Sequence, residues 1–204
     1  SILIAEEFIE NQSVALILGD NIFYGSGLSE KLTYAASKSE GATIFACRVR
    51  DPNRYGVVEF YSDGRAKSIE EKPTNPKSNY AITGLYFFDK NAVDFAKGLE
   101  PSERGELEIS SLNEVYLKEN NLKVEILDRG ITWFDAGTFD SLHESSSFIQ
   151  TLEHRQGMKV GCPEEIAWKK GWIDKKKLRF LASSMKNSSY GDYLNKLASE
   201  DLNS

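Results

Sequence analysis

The sequence predicts an α/β protein built on a mixed, mostly parallel sheet, with an inserted β-hairpin and a C-terminal run of helices. Three observations predict it. Short apolar runs bounded by turn residues, at 14–18 and 43–49, read as strands buried on both faces. Segments with apolar residues at helical spacing alternate with such runs, the order expected of a parallel α/β sheet. Ser62-Asp-Gly64 lies between two strand-like runs and supplies a hairpin turn.

The elements follow in order. Residues 1–9 read as a helix already under way, with Ile2, Ala5, Phe8 and Ile9 on one face and no start methionine. The chain is therefore expected to be cut short at its N-terminus. The strand at 14–18 ends in Gly19-Asp20-Asn21, and 21–26 reads as an aromatic loop. A helix is predicted at 28–37 and a second buried strand at 43–49. After the turn Asp51-Pro-Asn-Arg54, the hairpin takes 55–61 and 66–71. A strand at 80–88 carries Gly84 inside it, and a glycine there often marks a close approach by a ligand or another backbone. Helices at 91–98 and 106–119, strands at 123–127 and 131–134, and a helix at 138–153 with Leu142, Ile149 and Leu152 facing inward complete the body. Short helices at 163–170, 174–182 and 190–197 follow. The division expected is a catalytic domain over 1–157 and a helical extension of it over 158–204.

Composition bounds the function. The 204 residues are 40% apolar and 27% charged, so the chain is globular with a sizeable core. A net charge of −6 argues against nucleic acid as a partner. Any anionic substrate must then be held by local cations or a metal. Two cysteines without a CxxC pair give no disulfide framework, which makes the cytoplasm the expected compartment. No apolar run approaches the length of a membrane span, so no membrane partner is expected.

Asp20 is expected at the carboxyl end of a sheet strand, where ligands of open α/β sheets sit. Asp135, in Trp133-Phe-Asp-Ala-Gly137, has a similar context. Two carboxylates completed by substrate phosphates are how magnesium is usually held. Each also fits a plainer role: Asp20 in a turn, Asp135 at a helix N-terminus. Lys72 at a strand end could meet a phosphate, and Arg104 an anion at a helix entry. Arg54-Tyr55-Gly56 could stack on a sugar or base. As single features these read equally as solvated side chains and a turn. No HExxH, nucleophile elbow or P-loop is present.

Their joint order is more specific. Leu18-Gly-Asp-Asn-Ile-Phe-Tyr-Gly25, Asp51-Pro-Asn-Arg-Tyr-Gly-Val-Val-Glu-Phe60, Glu70-Glu-Lys-Pro73, Lys77-Ser-Asn-Tyr-Ala-Ile-Thr-Gly-Leu-Tyr86, Arg104-Gly-Glu-Leu-Glu-Ile109 and Trp133-Phe-Asp-Ala-Gly-Thr138 together closely resemble the glucose-1-phosphate thymidylyltransferase family. The resemblance runs from Ile2 to about Leu197. It implies a Rossmann-like nucleotide-diphospho-sugar transferase fold and a magnesium-dependent reaction of dTTP with glucose 1-phosphate, giving dTDP-glucose and pyrophosphate on the route to dTDP-rhamnose. It further implies Asp20 and Asp135 as metal ligands, and Asp20, Lys72, Arg104 and Asp135 as the catalytic set. Asn21, Tyr55, Gly56, Glu71, Lys72 and Ile82 would contact the nucleotide sugar. Tyr24, Gly25, Cys162, Glu165, Ile166 and Lys169 match a regulatory nucleotide site taking dTDP-rhamnose in a homotetramer. Lys169 stands where arginine is frequent, so feedback is expected to be weaker.

The family's glycine-rich triphosphate grip and its base-recognition segment have no counterpart in this sequence. The chain alone is thus expected to be inactive and poorly soluble, with an exposed sheet edge. Two other readings fit the same residues: a sugar nucleotidyltransferase using UTP, and a regulatory subunit that binds nucleotide sugar without chemistry. Retention of Asp20, Lys72 and Asp135 favours an enzyme.

Overall fold

The computed structural model describes residues 2–102 and 105–200. In chain order these residues form α1 (Glu6–Ile9), β1 (Val14–Ile17), β2 (Asn21–Gly25), α2 (Leu28–Ala36), β3 (Ala42–Arg48), a short 3-10 turn (Pro52–Arg54), β4 (Gly56–Phe60), β5 (Ala66–Glu71), β6 (Tyr80–Phe88), α3 (Ala92–Lys97), α4 (Ile109–Lys118), β7 (Leu122–Ile126), β8 (Ile131–Asp135), α5 (Phe139–Gln156), α6 (Pro163–Lys169), α7 (Lys175–Ser184) and α8 (Ser189–Ser199). The chain divides within α5, after Leu142, into two compact units.

In the first unit the sheet runs β5-β4-β6-β3-β7, with β1 also on β6, and β2 and β8 form a separate ribbon. Strand β6 is the centre. It pairs with β3 on one edge and with β1 and β4 on the other. Among the described residues only the β3–β7 pairing is parallel, so the sheet is mixed as expected but not mostly parallel. An apolar run reports burial, not direction. Hairpin-length links such as that between β4 and β5 are too short for a parallel crossover.

Five further expectations are corrected. Strand β1 is not buried on both faces: it alternates, Ile17 is 56% exposed, and among the described residues it pairs with β6 alone. Residues 21–25 form a strand rather than a loop. The N-terminal helix is a single turn that buries Ile9 but leaves Phe8 87% exposed, and buried Ile2 precedes it. Helix α4 starts at Ile109, so Glu106 lies ahead of its first turn and Glu108 is its N-cap. Leu142, expected inward on α5, is exposed.

Alternation along β3 and β6 covers both sheet faces. Ile44, Ala46, Ile82, Tyr86 and Phe88 pack with Val93, Ala96, Leu112 and Tyr116 of α3 and α4. Phe45 and Leu85 point the other way, to Ala35 of α2 and Ile131 of β8. Each of the larger aliphatic and phenylalanine side chains contributes about 1.5–3 kcal/mol by leaving water. The second unit has its own core of Cys162, Trp168, Leu178, Ala182, Tyr193 and Leu194. Asp174 and Ser188 cap α7 and α8 by accepting from Lys177 N and Gly191 N. Among the described residues no helix is long and apolar enough to cross a membrane.

Buried Asp89 ties the first unit together just past β6. One carboxylate oxygen accepts from Asn91 N at 2.9 Å and the Tyr116 hydroxyl at 2.7 Å. The other accepts from Gly41 N at 2.8 Å and Asn91 Nδ2 at 3.1 Å. Burial, then the bond to Asp89, holds the Tyr116 phenol far above its ordinary pKa, so it stays a donor. Asp89→Ala strands these donors and is expected to cost about 3 kcal/mol or more, read as a lower urea midpoint; an unchanged midpoint would remove this network from the account.

Candidate active site

Strand β2 pairs antiparallel with β8 in the register Asn21↔Asp135 to Gly25↔Ile131. The segments suit a half-buried ribbon: Ile22, Phe23 and Tyr24 face Phe134, Trp133 and Thr132, and aromatic or β-branched cross-strand pairs stabilise such a pair. Gly25 is required, because a Cβ there would lie 2.1 Å from Gly130 O. The register brings residue 20 against residue 136, and Ala136 N donates to Asp20 O at 2.7 Å.

The two predicted metal carboxylates therefore meet. A Cβ on Gly137 would lie 3.1 Å from Asp135 Oδ1 and 3.4 Å from Asp20 Oδ2. Glycine at 137 keeps that space between the two oxygens clear. Among the described residues no cluster of three or more His, Cys, Asp or Glu side chains forms a metal cage. Two hard carboxylate oxygens at a solvent-facing opening fit magnesium, which keeps waters and takes its remaining ligands from phosphates.

Asn21 sits behind this pair. Its Oδ1 accepts from Gly84 N at 2.9 Å and Trp133 Nε1 at 2.6 Å, and its Nδ2 donates to Asp20 Oδ1 at 2.8 Å. Gly84 marks a close approach, but what approaches is this side-chain amide rather than the ligand or backbone expected.

A second cluster surrounds Gly56. A Cβ at 56 would lie 3.2 Å from Glu71 Oε2 and from Ser110 Oγ, and 3.6 Å from Ile82 Cδ1. Gly56 and Glu71 are paired across the β4–β5 hairpin, and the Ser110 hydroxyl donates to the Glu71 carboxylate. Burial and then the charge of Glu71 push the Tyr86 phenol well above its usual range. The Tyr55 ring meets Trp133 edge-on, with centroids 5.0 Å apart. Trp133 so joins the Gly56 cluster to Asn21.

Lys72 has a left-handed backbone, with φ +42°. Its N–H donates to Tyr55 O at 3.0 Å, and its ammonium lies 4.0 Å from Glu71 Oε1 on the surface. A lysine held at positive φ just before Pro73 is strained, and such strain concentrates at functional sites. Arg104 lies outside the described residues.

Sequence reasoning brought Asp20, Asn21, Tyr55, Gly56, Glu71, Lys72, Ile82 and Asp135 forward, and the contacts link them through Trp133. It missed Trp133 and Ser110. Trp133 was legible in its motif, two positions from Asp135 and on the same strand face. Ser110 carried no signal beyond opening a helix.

The residues matched to a regulatory site are split. Tyr24 and Gly25 lie on β2, in the first unit. Cys162, Glu165, Ile166 and Lys169 lie in the second. There Cys162 is buried, with the Tyr190 hydroxyl 3.2 Å from its sulfur. Glu165 accepts from the Tyr193 hydroxyl at 2.5 Å and pairs with Lys169 at 2.6 Å. Ile166 and Lys169 are exposed. A cavity of about 780 Å³ opens between the β4–β5 hairpin, α4 and β7, but it touches neither aspartate. Chemistry rather than volume marks the site.

The family model described as nucleotidyl transferase matches residues 1–151. A glucose-1-phosphate thymidylyltransferase of Neisseria meningitidis serogroup A is 54% identical over 195 residues, 96% of this chain and 68% of that protein. One from Mycobacterium tuberculosis is 53% identical over 192 residues, 94% of this chain and 66% of that protein. A Bacillus anthracis structure described as a glucose-1-phosphate thymidylyltransferase in complex with a sucrose superposes with TM-score 0.64 at 37% identity, covering 72% of this chain and 58% of that one. A UDP-glucose pyrophosphorylase complexed with UDP-glucose gives 0.65 at 20% identity, over 74% and 60%, a likeness of fold alone. The chain spans about two thirds of the length of these curated relatives and less of the solved structures.

The strain at Lys72 yields a test. Lys72→Gly relieves the left-handed backbone and is expected to raise stability by about 1 kcal/mol, whereas Lys72→Ala leaves it unchanged. Chemical denaturation of both variants checks this, and a destabilised glycine variant would show that the backbone is unstrained.

Proposed function

We propose, from the premise that this chain belongs to the nucleotidyl transferase family and within it to the glucose-1-phosphate thymidylyltransferases, that its site serves thymidylyl transfer. A phosphate oxygen of glucose 1-phosphate attacks the α-phosphorus of dTTP. The new P–O bond forms as the bond to the β-phosphate oxygen breaks, releasing pyrophosphate and leaving dTDP-glucose. The observation that carries this reading is the meeting of Asp20 and Asp135 across the space kept clear by Gly137.

No protein nucleophile takes part, and the residues act by positioning and charge. Asp20 and Asp135 would hold Mg²⁺, which when bound neutralises phosphate charge and keeps the reacting groups in line. Glu71, anchored through one oxygen by Ser110, offers the other to a sugar hydroxyl. Gly56 lets the sugar approach bare backbone, and Ile82, Tyr55 and Trp133 give it an apolar wall. Lys72, and Arg104 by family resemblance, offset the charge of the sugar phosphate, which lowers repulsion between two anionic substrates.

The finer readings belong to the same proposal and rest on the resemblance. The enzyme serves dTDP-rhamnose synthesis in the cytoplasm as a homotetramer, and dTDP-rhamnose binds back at Tyr24, Gly25, Cys162, Glu165, Ile166 and Lys169. On that reading Ile166 and Lys169, being exposed, are the contact residues. Cys162 and Glu165, being buried, shape α6 beneath them.

The test is pyrophosphate release from dTTP and glucose 1-phosphate, in this chain and in a chimera that adds the part of the Neisseria meningitidis relative outside the match. The chimera is expected to turn over, and Asp20→Asn or Asp135→Asn within it to lose about 100-fold or more. A chimera that keeps its rate with both aspartates replaced would overturn the assignment.

A further inference from the structure

The Asn21 amide is fixed by its partners. Its oxygen meets two N–H groups, Gly84 N and Trp133 Nε1, and neither can accept a hydrogen bond at that atom. The amide therefore cannot be turned over, and Nδ2 must face Asp20 Oδ1. The anchor is the central strand. A Cβ at Gly84 would lie 2.7 Å from Asn21 Cγ, so β6 admits the amide only because residue 84 has no side chain. Asp20 itself lies on an exposed turn between β1 and β2, where a carboxylate would otherwise rotate freely. With Oδ1 engaged, Oδ2 is the oxygen that lies beside Gly137, opposite Asp135 Oδ1.

We propose that Asn21 is a positioning residue for the cation site: its amide pins Oδ1 of Asp20 and so presents Oδ2 to a divalent ion shared with Asp135. This rests on the reading of the two aspartates as cation ligands. It adds to the expected sugar contact, since Nδ2 carries a second hydrogen. The same amide holds the Trp133 indole, two residues from Asp135. One side chain thus orders both strands that deliver the carboxylates, as outer partners of metal ligands commonly do.

The test is an equilibrium Mn²⁺ titration of the full chain, with circular dichroism confirming that each variant is folded. Asn21→Ala is expected to weaken Mn²⁺ binding about tenfold. Gly84→Ala, which displaces the amide without altering it, shifts affinity in the same direction. Trp133→Phe removes one anchoring N–H and gives a smaller loss. A role confined to holding strands together would lower melting temperatures and leave Mn²⁺ affinity of the folded variants unchanged, which overturns the proposal. A wild-type chain that takes up no Mn²⁺ overturns both this proposal and the cation reading beneath it, so the two failures are distinct.

Discussion

The antiparallel pairing of β2 with β8 governs where the two carboxylates end up, because Asn21 and Trp133 stand 112 residues apart in the chain and only strand register can bring their neighbours together. A slip of one residue would turn every side chain of the ribbon to its other face and separate Asp20 from Asp135. The register is fixed from several directions. Gly25 meets the backbone at Gly130 too closely for any other residue. Trp133 is held to Asn21, and Asn21 to Gly84 of the buried strand β6. Ala136 N closes the open end on Asp20 O.

Stability and function draw on the same strand in different ways. Through Phe88 and Asp89, the end of β6 joins the core under α3 and α4, where both carboxylate oxygens of Asp89 are engaged. Its middle gives up a side chain at Gly84 to admit Asn21. Around the site the chain tolerates features that a purely structural sheet would avoid: a lysine at positive φ, bare glycines at 56 and 137, and solvent-facing acids. At 56 the missing side chain makes way for Glu71 and Ser110, and at 137 for the two aspartate oxygens.

The legible part of the fold was the part written in local pattern. The β4–β5 hairpin followed from Ser62-Asp-Gly64, and β6, α2 and the C-terminal helices from apolar spacing. Strand direction was not legible, because an apolar run such as 14–18 reports burial and not its partner. Residues 21–25 looked like a loop because glycine and asparagine flank a short aromatic run, and their strand exists only through a distant partner. In the site, charged residues in distinctive motifs were visible, whereas Ser110 was not. It acts through a hydroxyl that helix starts use routinely, and only the fold sets it against Glu71.

The central claim is that Asp20 and Asp135 share one divalent cation. Crystals grown with Mn²⁺ test it most directly, through the anomalous signal of the metal. The account predicts one peak beside Gly137, about 2.1 Å from an oxygen of each aspartate. A peak bound elsewhere, or carboxyl groups of residues 20 and 135 turned to separate faces of the ribbon, would contradict it.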